Sequence, residues 1–374
     1  MQKITELELR ALDAPINLAD GHPRQELTES QRKIIERLPE IFEASRRQPF
    51  EEIGRSAQEK FFAALGQNAA PVASCRVFSI YSSSVATMML GTVLGGLGHR
   101  VGLLHPTFDN ISDILARHVE IAPVSEQACL EADVGRIAGF GVTCLFLTVP
   151  NNPTGWVLER SELARIISMC ARRDLLLCLD TSFRGFDVRA QFDYYELLEH
   201  ADIDYVVIED TGKLWPLAEL KLGFMTVSER LRPHVQDVFN DVLLSVSPFV
   251  AKLVELMADE AMDGGLDTLH KLIASNRAEV DAALSFLDGV ELAEPEARVS
   301  VCRIRFPSAR LAHAVRTGLA ATGVHVLPCE PFHWARPEEG ARMLRLALAR
   351  DPSVLADGLA ALRSVAARAA RNGS

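Results

Sequence analysis

Val142-Thr-Cys-Leu-Phe-Leu-Thr-Val149 runs straight into Pro150-Asn-Asn-Pro-Thr-Gly155. The apolar run has the length of a strand, and the Pro/Gly cluster closes it with a tight loop. A helical pattern, Arg160–Arg173, follows. The same design recurs twice. Leu175-Leu-Leu-Cys-Leu179 ends in Asp180-Thr-Ser-Phe-Arg-Gly-Phe-Asp187, and Tyr205-Val-Val-Ile208 ends in Glu209-Asp-Thr-Gly-Lys213. Near-continuous apolar strands separated by helices predict a mainly parallel sheet covered on both faces. In such open α/β sheets, ligands sit beyond the carboxyl ends of the strands.

Working outward, further strands are expected at Arg76–Tyr81, Val101–Leu104, Val119–Pro123 and Leu222–Val227, which makes a seven-stranded sheet. Helices are expected at Ser84–Gly95, Asn110–Arg117 and Asp193–His200. Upstream, Ile34–Arg46, with a break or kink at Pro39, and Phe50–Leu65 have apolar residues at three- and four-residue steps. Residues 1–33 read as an arm with one short helical turn near Thr5–Leu12. After about Ser245 the pattern changes. Two helices (Pro248–Asp263, Gly265–Leu287), a strand (Ser300–Phe306), a helix (Ser308–Thr322), short strands (Val324–Pro328, Met343–Ala347) and a last helix (Pro352–Ala370) read as a smaller α+β domain. The expected division is therefore an arm at 1–33, a large domain at 34–245 and a small domain at 246–374.

The 374 residues carry 39 Lys and Arg against 50 Asp and Glu, a net charge of −11. An acidic chain without a long basic run is a poor partner for nucleic acid or an anionic membrane. No stretch approaches the roughly 18 apolar residues of a membrane span, and the polar first ten residues are not a signal peptide. The seven cysteines form no C-x-x-C pair. They read as reduced, buried thiols of a cytosolic protein, with no metal site implied.

The chemistry concentrates at three strand ends. Pro150–Gly155 alone could be a turn. Asp180 closes an apolar strand, where an acid is costly unless it meets a cation or strong donors. Lys213 closes another, and a lysine partly desolvated near other cations becomes nucleophilic. The order Asn-Pro-Thr-Gly, Asp, Lys, each at a strand terminus, argues against three unrelated surface features.

That order resembles the fold-type I pyridoxal-phosphate (PLP) enzymes of the aspartate aminotransferase superfamily, over nearly the whole chain. The resemblance implies an α/β PLP-dependent transferase-like fold. It implies that Lys213 is the Schiff-base lysine and that Asp180 pairs with the pyridinium nitrogen. Asn152 would bond the ring 3-oxygen, and Phe108 would stack on the ring. Ser82, Ser83, Ser84, Ser182 and Lys221 would complete the cofactor site, with the serines at a helix start suited to phosphate. Arg345 would clamp the substrate carboxylate with its planar fork. Two positions depart from the superfamily pattern. Phe183 stands where a Tyr donor is usual, and Asp210 stands where Ser or Thr is usual. Like charges in a dry site are costly, so Asp210 is expected to turn from the phosphate toward a cation.

Asp180–Asp187, Glu209–Trp215, Tyr81–Ser84, His105–Asn110, Asn17–His22 and Phe332–Ala335 are similar to the PLP-dependent L-arginine oxidases and hydroxylases of bacterial natural-product biosynthesis. That resemblance implies oxidation of L-arginine by dioxygen, without metal or flavin, to 4-hydroxy-2-oxoarginine with 2-oxoarginine as side product. It places Thr5, Glu8, Asp20 and Asp210 at the substrate. A guanidinium never deprotonates, so its site needs carboxylates. His22 is the imidazole placed to activate the water that adds at C4, near neutral pH. It also implies a homodimer. An ordinary aminotransferase using a 2-oxo acid, an oxidase stopping at a dehydroarginine imine, and a non-catalytic ligand-binding protein on the same fold are the alternatives.

Overall fold

The computed structural model describes residues 2–132, 135, 137 and 141–371. Its strands are, in chain order, β1 (Ile16–Asn17), β2 (Val77–Ile80), β3 (Val101–His105), β4 (Ile121–Ser125), β5 (Cys144–Thr148), β6 (Leu176–Asp180), β7 (Tyr205–Asp210), β8 (Gly223–Val227), β9 (Glu291–Leu292), β10 (Val301–Arg305), β11 (Val324–His325), β12 (Leu327–Pro328) and β13 (Met343–Ala347). Seven of them form the central sheet in the order β2-β8-β7-β6-β5-β3-β4. All neighbouring pairs are parallel except those of β8, which runs antiparallel to both β2 and β7. The α/β class and the mainly parallel seven-stranded sheet expected from the sequence are what the chain adopts.

Alternation along the strands builds a core on each face of the sheet. Leu145 and Leu147 of β5, with Leu177 and Leu179 of β6, enter one cluster. Cys144 and Phe146, with Leu176 and Cys178, enter the other. Helix Ser83–Gly96 covers the second face with Ala86, Met89, Leu90, Val93 and Leu94. Helix Arg160–Arg173, opened by a Glu159/Glu162 capping box, covers the first with Leu163, Ile166, Ile167 and Cys170. A second, antiparallel sheet, β12-β13-β10-β9, packs under helices Ala309–Ala321 and Pro352–Arg371.

The N-terminal segment is more structured than expected. Its helix spans Ile4–Ala11 and buries Ile4 and Ala11, where apolar burial holds a segment too short to be helical alone. Downstream, β1 pairs in parallel with β11 through Ile16↔Val324 and Asn17↔His325. The helical pattern at Ile34–Arg46 breaks next to Pro39 into two helices, Glu29–Glu36 and Leu38–Arg47. Pro39 starts the second, because proline fits a first turn but not a helix interior. Thr28 and Gln31 close a capping box that begins the first helix earlier. Strand β4 lies two residues beyond Val119–Pro123, and helix Arg232–Val242 was not anticipated. All seven cysteines are free. Six are buried as expected and Cys75 is exposed. No helix among the described residues is long and apolar enough to cross a membrane.

Candidate active site

The carboxyl ends of β5, β6 and β7 open into a cavity of about 450 Å³. Parallel register puts Thr148 beside Asp180 and Asp180 beside Ile208, so three successive strands deliver their end residues to one spot. The cavity is lined by Thr5, Glu8, His22, Ser82, Ser83, Ser84, Phe108, Asn152, Asp180, Ser182, Asp210, Lys213, Lys221 and Arg345. These are the sequence-selected residues with one exception. Asp20 lies directly behind His22.

Asp180 is 5% exposed. Its Oδ1 accepts from Ser182 N at 3.0 Å and Ser182 Oγ at 2.6 Å. Burial pushes its carboxyl up; the Ser182 donors oppose that and nearby Asp210 adds to it. No cation among the described residues lies in salt-bridge contact with it. A buried acid in that state is matched to a cationic ring nitrogen.

Lys213 and Lys221 flank one turn. β7 and β8 pair antiparallel up to Asp210↔Gly223, and Thr211 and Leu222 close the hairpin with Thr211 N to Leu222 O at 2.8 Å. Gly212 is required here, because a Cβ would sit 2.3 Å from Lys221 Cδ. Both ammonium groups reach His22 Nε2 at 3.2 Å. The other ring nitrogen, Nδ1, lies 2.7 Å from Asp20 Oδ1. A carboxylate only accepts, so it fixes the proton on Nδ1 and leaves Nε2 as the acceptor. Burial alone would raise the Asp20 carboxyl. Hydrogen bonds and charge from His22, with Arg24 behind, outweigh it and hold the group far below the usual carboxylate range.

Asp210 corrects one expectation. It meets no cation among the described residues. Its Oδ2 accepts from Ser83 N and Ser83 Oγ, both at 3.1 Å, and its Oδ1 from Gly212 N at 2.9 Å. Free amides at the start of helix Ser83–Gly96 and of the Lys213 turn satisfy an anion as well as a cation would. Ser82 caps that helix, accepting from Val85 N at 3.3 Å, and Ser84 Oγ accepts from Asn110 Nδ2 at 2.9 Å.

Arg345, fully buried, donates to Asn152 Oδ1 at 3.3 Å, to Glu8 Oε1 at 3.1 Å and to the Ala19 carbonyl. Its guanidinium also stands 5.3 Å from the Phe332 ring centroid. Glu8 thus already faces a guanidinium, that of Arg345.

Three contributing residues escaped the sequence reading. Glu219, in the Lys213–Lys221 turn, pairs with Lys221 at 2.5 Å and lies 3.9 Å from His22 Nε2. Arg350, 2% exposed, donates to the arm carbonyls of Asn17 at 2.7 Å, His22 at 2.8 Å and Asp20. Asp109 accepts the amide of Ile4. Arg350 and Asp109 had no signal, since each acts through backbone groups remote in sequence; the acid Glu219 two residues before Lys221 was the one local cue. His105, His333 and Glu339 come within ligand spacing of one another. Arg303 Nη1 donates to His333 Nε2 at 3.2 Å, which puts the proton on Nδ1, and Arg336 holds Glu339 at 2.6 Å. That tautomer and that pairing do not suit a metal ion.

As a set, a buried acid without a cation, hydroxyls at a helix start, and two lysines at one turn fit a phosphorylated pyridine aldehyde. The comparisons agree. The family model described as aminotransferase class I and II matches residues 15–362. A histidinol-phosphate aminotransferase of Roseiflexus castenholzii is 27% identical over 252 residues, which is 64% of this chain and 65% of that protein. The chain therefore spans just under two thirds of that relative. The solved structure of MppP soaked with the product 2-ketoarginine is 42% identical, covering 94% of this chain and 99% of that one, with a TM-score of 0.91. LysN, an α-aminoadipate aminotransferase from Thermus thermophilus complexed with N-(5'-phosphopyridoxyl)-L-leucine, is 19% identical over 99% and 96% of the two chains, with a TM-score of 0.79. It shares the fold.

Proposed function

The chain belongs to the aminotransferase class I and II family of PLP-dependent enzymes, and from that premise we propose that it oxidises L-arginine with dioxygen. The products are 4-hydroxy-2-oxoarginine, ammonia and hydrogen peroxide, with 2-oxoarginine as side product. The observation that carries this reading is the imidazole of His22, brought by the arm to 3.2 Å from Lys213 Nζ. It is supported by 42% identity to a protein whose product is 2-ketoarginine. In balance, one arginine, two dioxygens and two waters give one hydroxy-oxo acid, one ammonia and two hydrogen peroxides.

In this reading Asp180, steadied by Ser182, would pair with the ring nitrogen, Phe108 would stack on the ring, and Asn152 would bond its 3-oxygen. Ser82, Ser83, Ser84 and Lys221 would hold the phosphate, with Ser83 released from Asp210 as Asp210 turns to the substrate. When bound, the cofactor's protonated ring supplies a sink for the electron pair released at the substrate Cα. Lys213 takes the Cα proton. Arg345 holds the substrate carboxylate, while Glu8 and Asp210, with Thr5, receive the substrate guanidinium. Glu8 then leaves Arg345 for the substrate. Asp20 keeps the His22 proton on Nδ1, so Nε2, once Lys213 and Lys221 turn to the cofactor, takes a proton from the water that adds at C4. The arm, residues 1–33, shuts bulk water out between the large domain (34–245) and the small domain (246–374). The working unit is a homodimer. No metal or flavin takes part.

Resemblance to histidinol-phosphate aminotransferases favours a second reading, in which a 2-oxo acid accepts the amino group. An oxygen electrode with the PLP-loaded protein and L-arginine decides. Oxygen uptake with a hydroxy-oxoarginine mass supports the proposal. Uptake with only oxoarginine or a dehydro product removes the water addition. No uptake, with turnover restored by a 2-oxo acid, makes the enzyme a transaminase.

A further inference from the structure

Three consecutive residues after β3 serve three different elements. Phe108 lines the cavity, and Asn110 Nδ2 holds Ser84 Oγ at 2.9 Å. Asp109, between them, is 7% exposed and does not line the cavity. Its Oδ2 accepts the backbone amide of Ile4 at 2.8 Å, while its Oδ1 is buried without a hydrogen bond. Ile4 is the first residue of the arm helix, and Lys3 offers that helix no side-chain cap. A first-turn amide has no partner inside its own helix, so the cap comes from an element 105 residues away.

The rest of the docking is apolar. Ile4 and Ala11 join Ala19, Leu327, Phe332 and Met343 in a small cluster against which Leu7 and Phe108 pack. Lys3 meets Asp113 at 2.7 Å on the exposed side. Apolar contacts hold a helix down but leave it free to slide or rotate. The Ile4 amide bond is directional and fixes both. Glu8 lies one turn after Ile4 on the same face, which is how its carboxylate arrives at Arg345 and the cavity.

We infer that Asp109 is a positioning residue for substrate binding: by capping the arm helix it sets where Thr5 and Glu8 stand over the cavity. This rests on the reading that those arm residues meet the substrate. Through Phe108 and Asn110 the same short segment also touches the cofactor cradle, so one element registers cradle and arm against each other.

The test uses the PLP-loaded full chain and the variants Asp109→Ala and Asp109→Asn. Amide exchange of residues 4–11 is measured without substrate, KM and kcat for L-arginine are measured separately, and PLP affinity serves as the control. Loss of the acceptor, which leaves the Ile4 amide unpaired, predicts about tenfold faster exchange at residues 4–11 and about a tenfold rise in KM for Asp109→Ala. The change in kcat is smaller, and PLP affinity is unchanged. Asp109→Asn keeps an acceptor oxygen and recovers most of both effects. Unchanged exchange and KM in Asp109→Ala overturn the inference, as does an Asn variant as impaired as Ala. Should the wild-type protein not oxidise arginine, the functional reading fails while the exchange measurement still decides whether Asp109 docks the arm.

Discussion

His22 Nε2 stands 3.2 Å from Lys213 Nζ, although the two residues lie 191 positions apart. The arm reaches that place because Arg350 grips three of its carbonyls and Asp20 orients the ring. The imidazole is thus a built part of the cavity.

If this imidazole activates water, His22→Ala leaves oxygen uptake largely intact and shifts the product toward 2-oxoarginine. General-base contributions of about 10²–10⁴ predict loss of nearly all hydroxylated product. Mass spectrometry of the product mixture reads the ratio, and an unchanged ratio removes His22 from that role.

Asp20 gives a pH signature opposite to that of Asp180 and Glu209, whose carboxyls burial pushes up. Its folded-state value is depressed, so its stabilisation is complete above the ordinary carboxylate value of about 4 and is lost as pH falls toward the lowered one. Asp20→Asn is expected to cost about 1–3 kcal/mol at pH 7. The gap to wild type narrows below about pH 4. Urea unfolding across pH 7 to 3 measures it.

Asp109 titrates the other way. Burial pushes its carboxyl up to about 6; the Ile4 amide opposes that, and Asp113 and Glu8 add to it. Lys3, on Asp113, is the facing cation. The docked state therefore holds a proton that the undocked state, near the model-peptide value of about 3.9, has released. Docking weakens as pH rises from about 4 to 6 and levels off above. Arm protection is expected to fall by about one to two orders of magnitude over that window, and the step is expected to vanish in Asp109→Asn. Exchange rates corrected for intrinsic pH dependence test this.

Arg184 and Glu209 form a fully buried pair at 2.9 Å beneath the floor of the cavity, with the guanidinium 3.9 Å from the Tyr194 ring centroid. Glu209→Ala leaves a buried charge unpaired and is expected to cost about 3–5 kcal/mol. Replacing both, Arg184→Met with Glu209→Leu, is expected to cost less than either alone. Chemical denaturation of the three variants gives the coupling.

The parts of the site that were legible are those set by local pattern. Asn152, Asp180 and Lys213 follow apolar runs, and run plus terminator predicts a strand end and what stands beyond it. Helix Arg160–Arg173 was readable to the residue for the same reason. What escaped depends on distance. Asp109 answers an amide 105 residues away and Arg350 answers carbonyls over 300 away, and backbone groups leave no trace in composition. Asp210 misled because charge predicts a cation, whereas two helix-start amides and a hydroxyl serve an anion equally. The break expected at Pro39 is present, and the proline sits in the first turn of the second helix, where its missing N–H costs nothing.

The β7–β8 hairpin has a consequence for evolutionary change and for engineering. Lys213 and Lys221 stand on opposite sides of one turn whose strands are locked by Asp210↔Gly223. Gly212 leaves no slack between backbone and the Lys221 stem. The exposed residues between Leu214 and Leu220 can therefore be exchanged in type far more readily than the turn can change in length, while Leu214, Trp215 and Leu217 are held by the core. One inserted or deleted residue would either carry Lys221 off the cavity or shift β8 by a residue, turning its core side chains to the wrong face. Natural variants of this fold are expected to vary at the exposed positions of that turn while keeping its length and its buried Leu214, Trp215 and Leu217, and a graft of this site onto another scaffold must carry the whole hairpin as a single cassette.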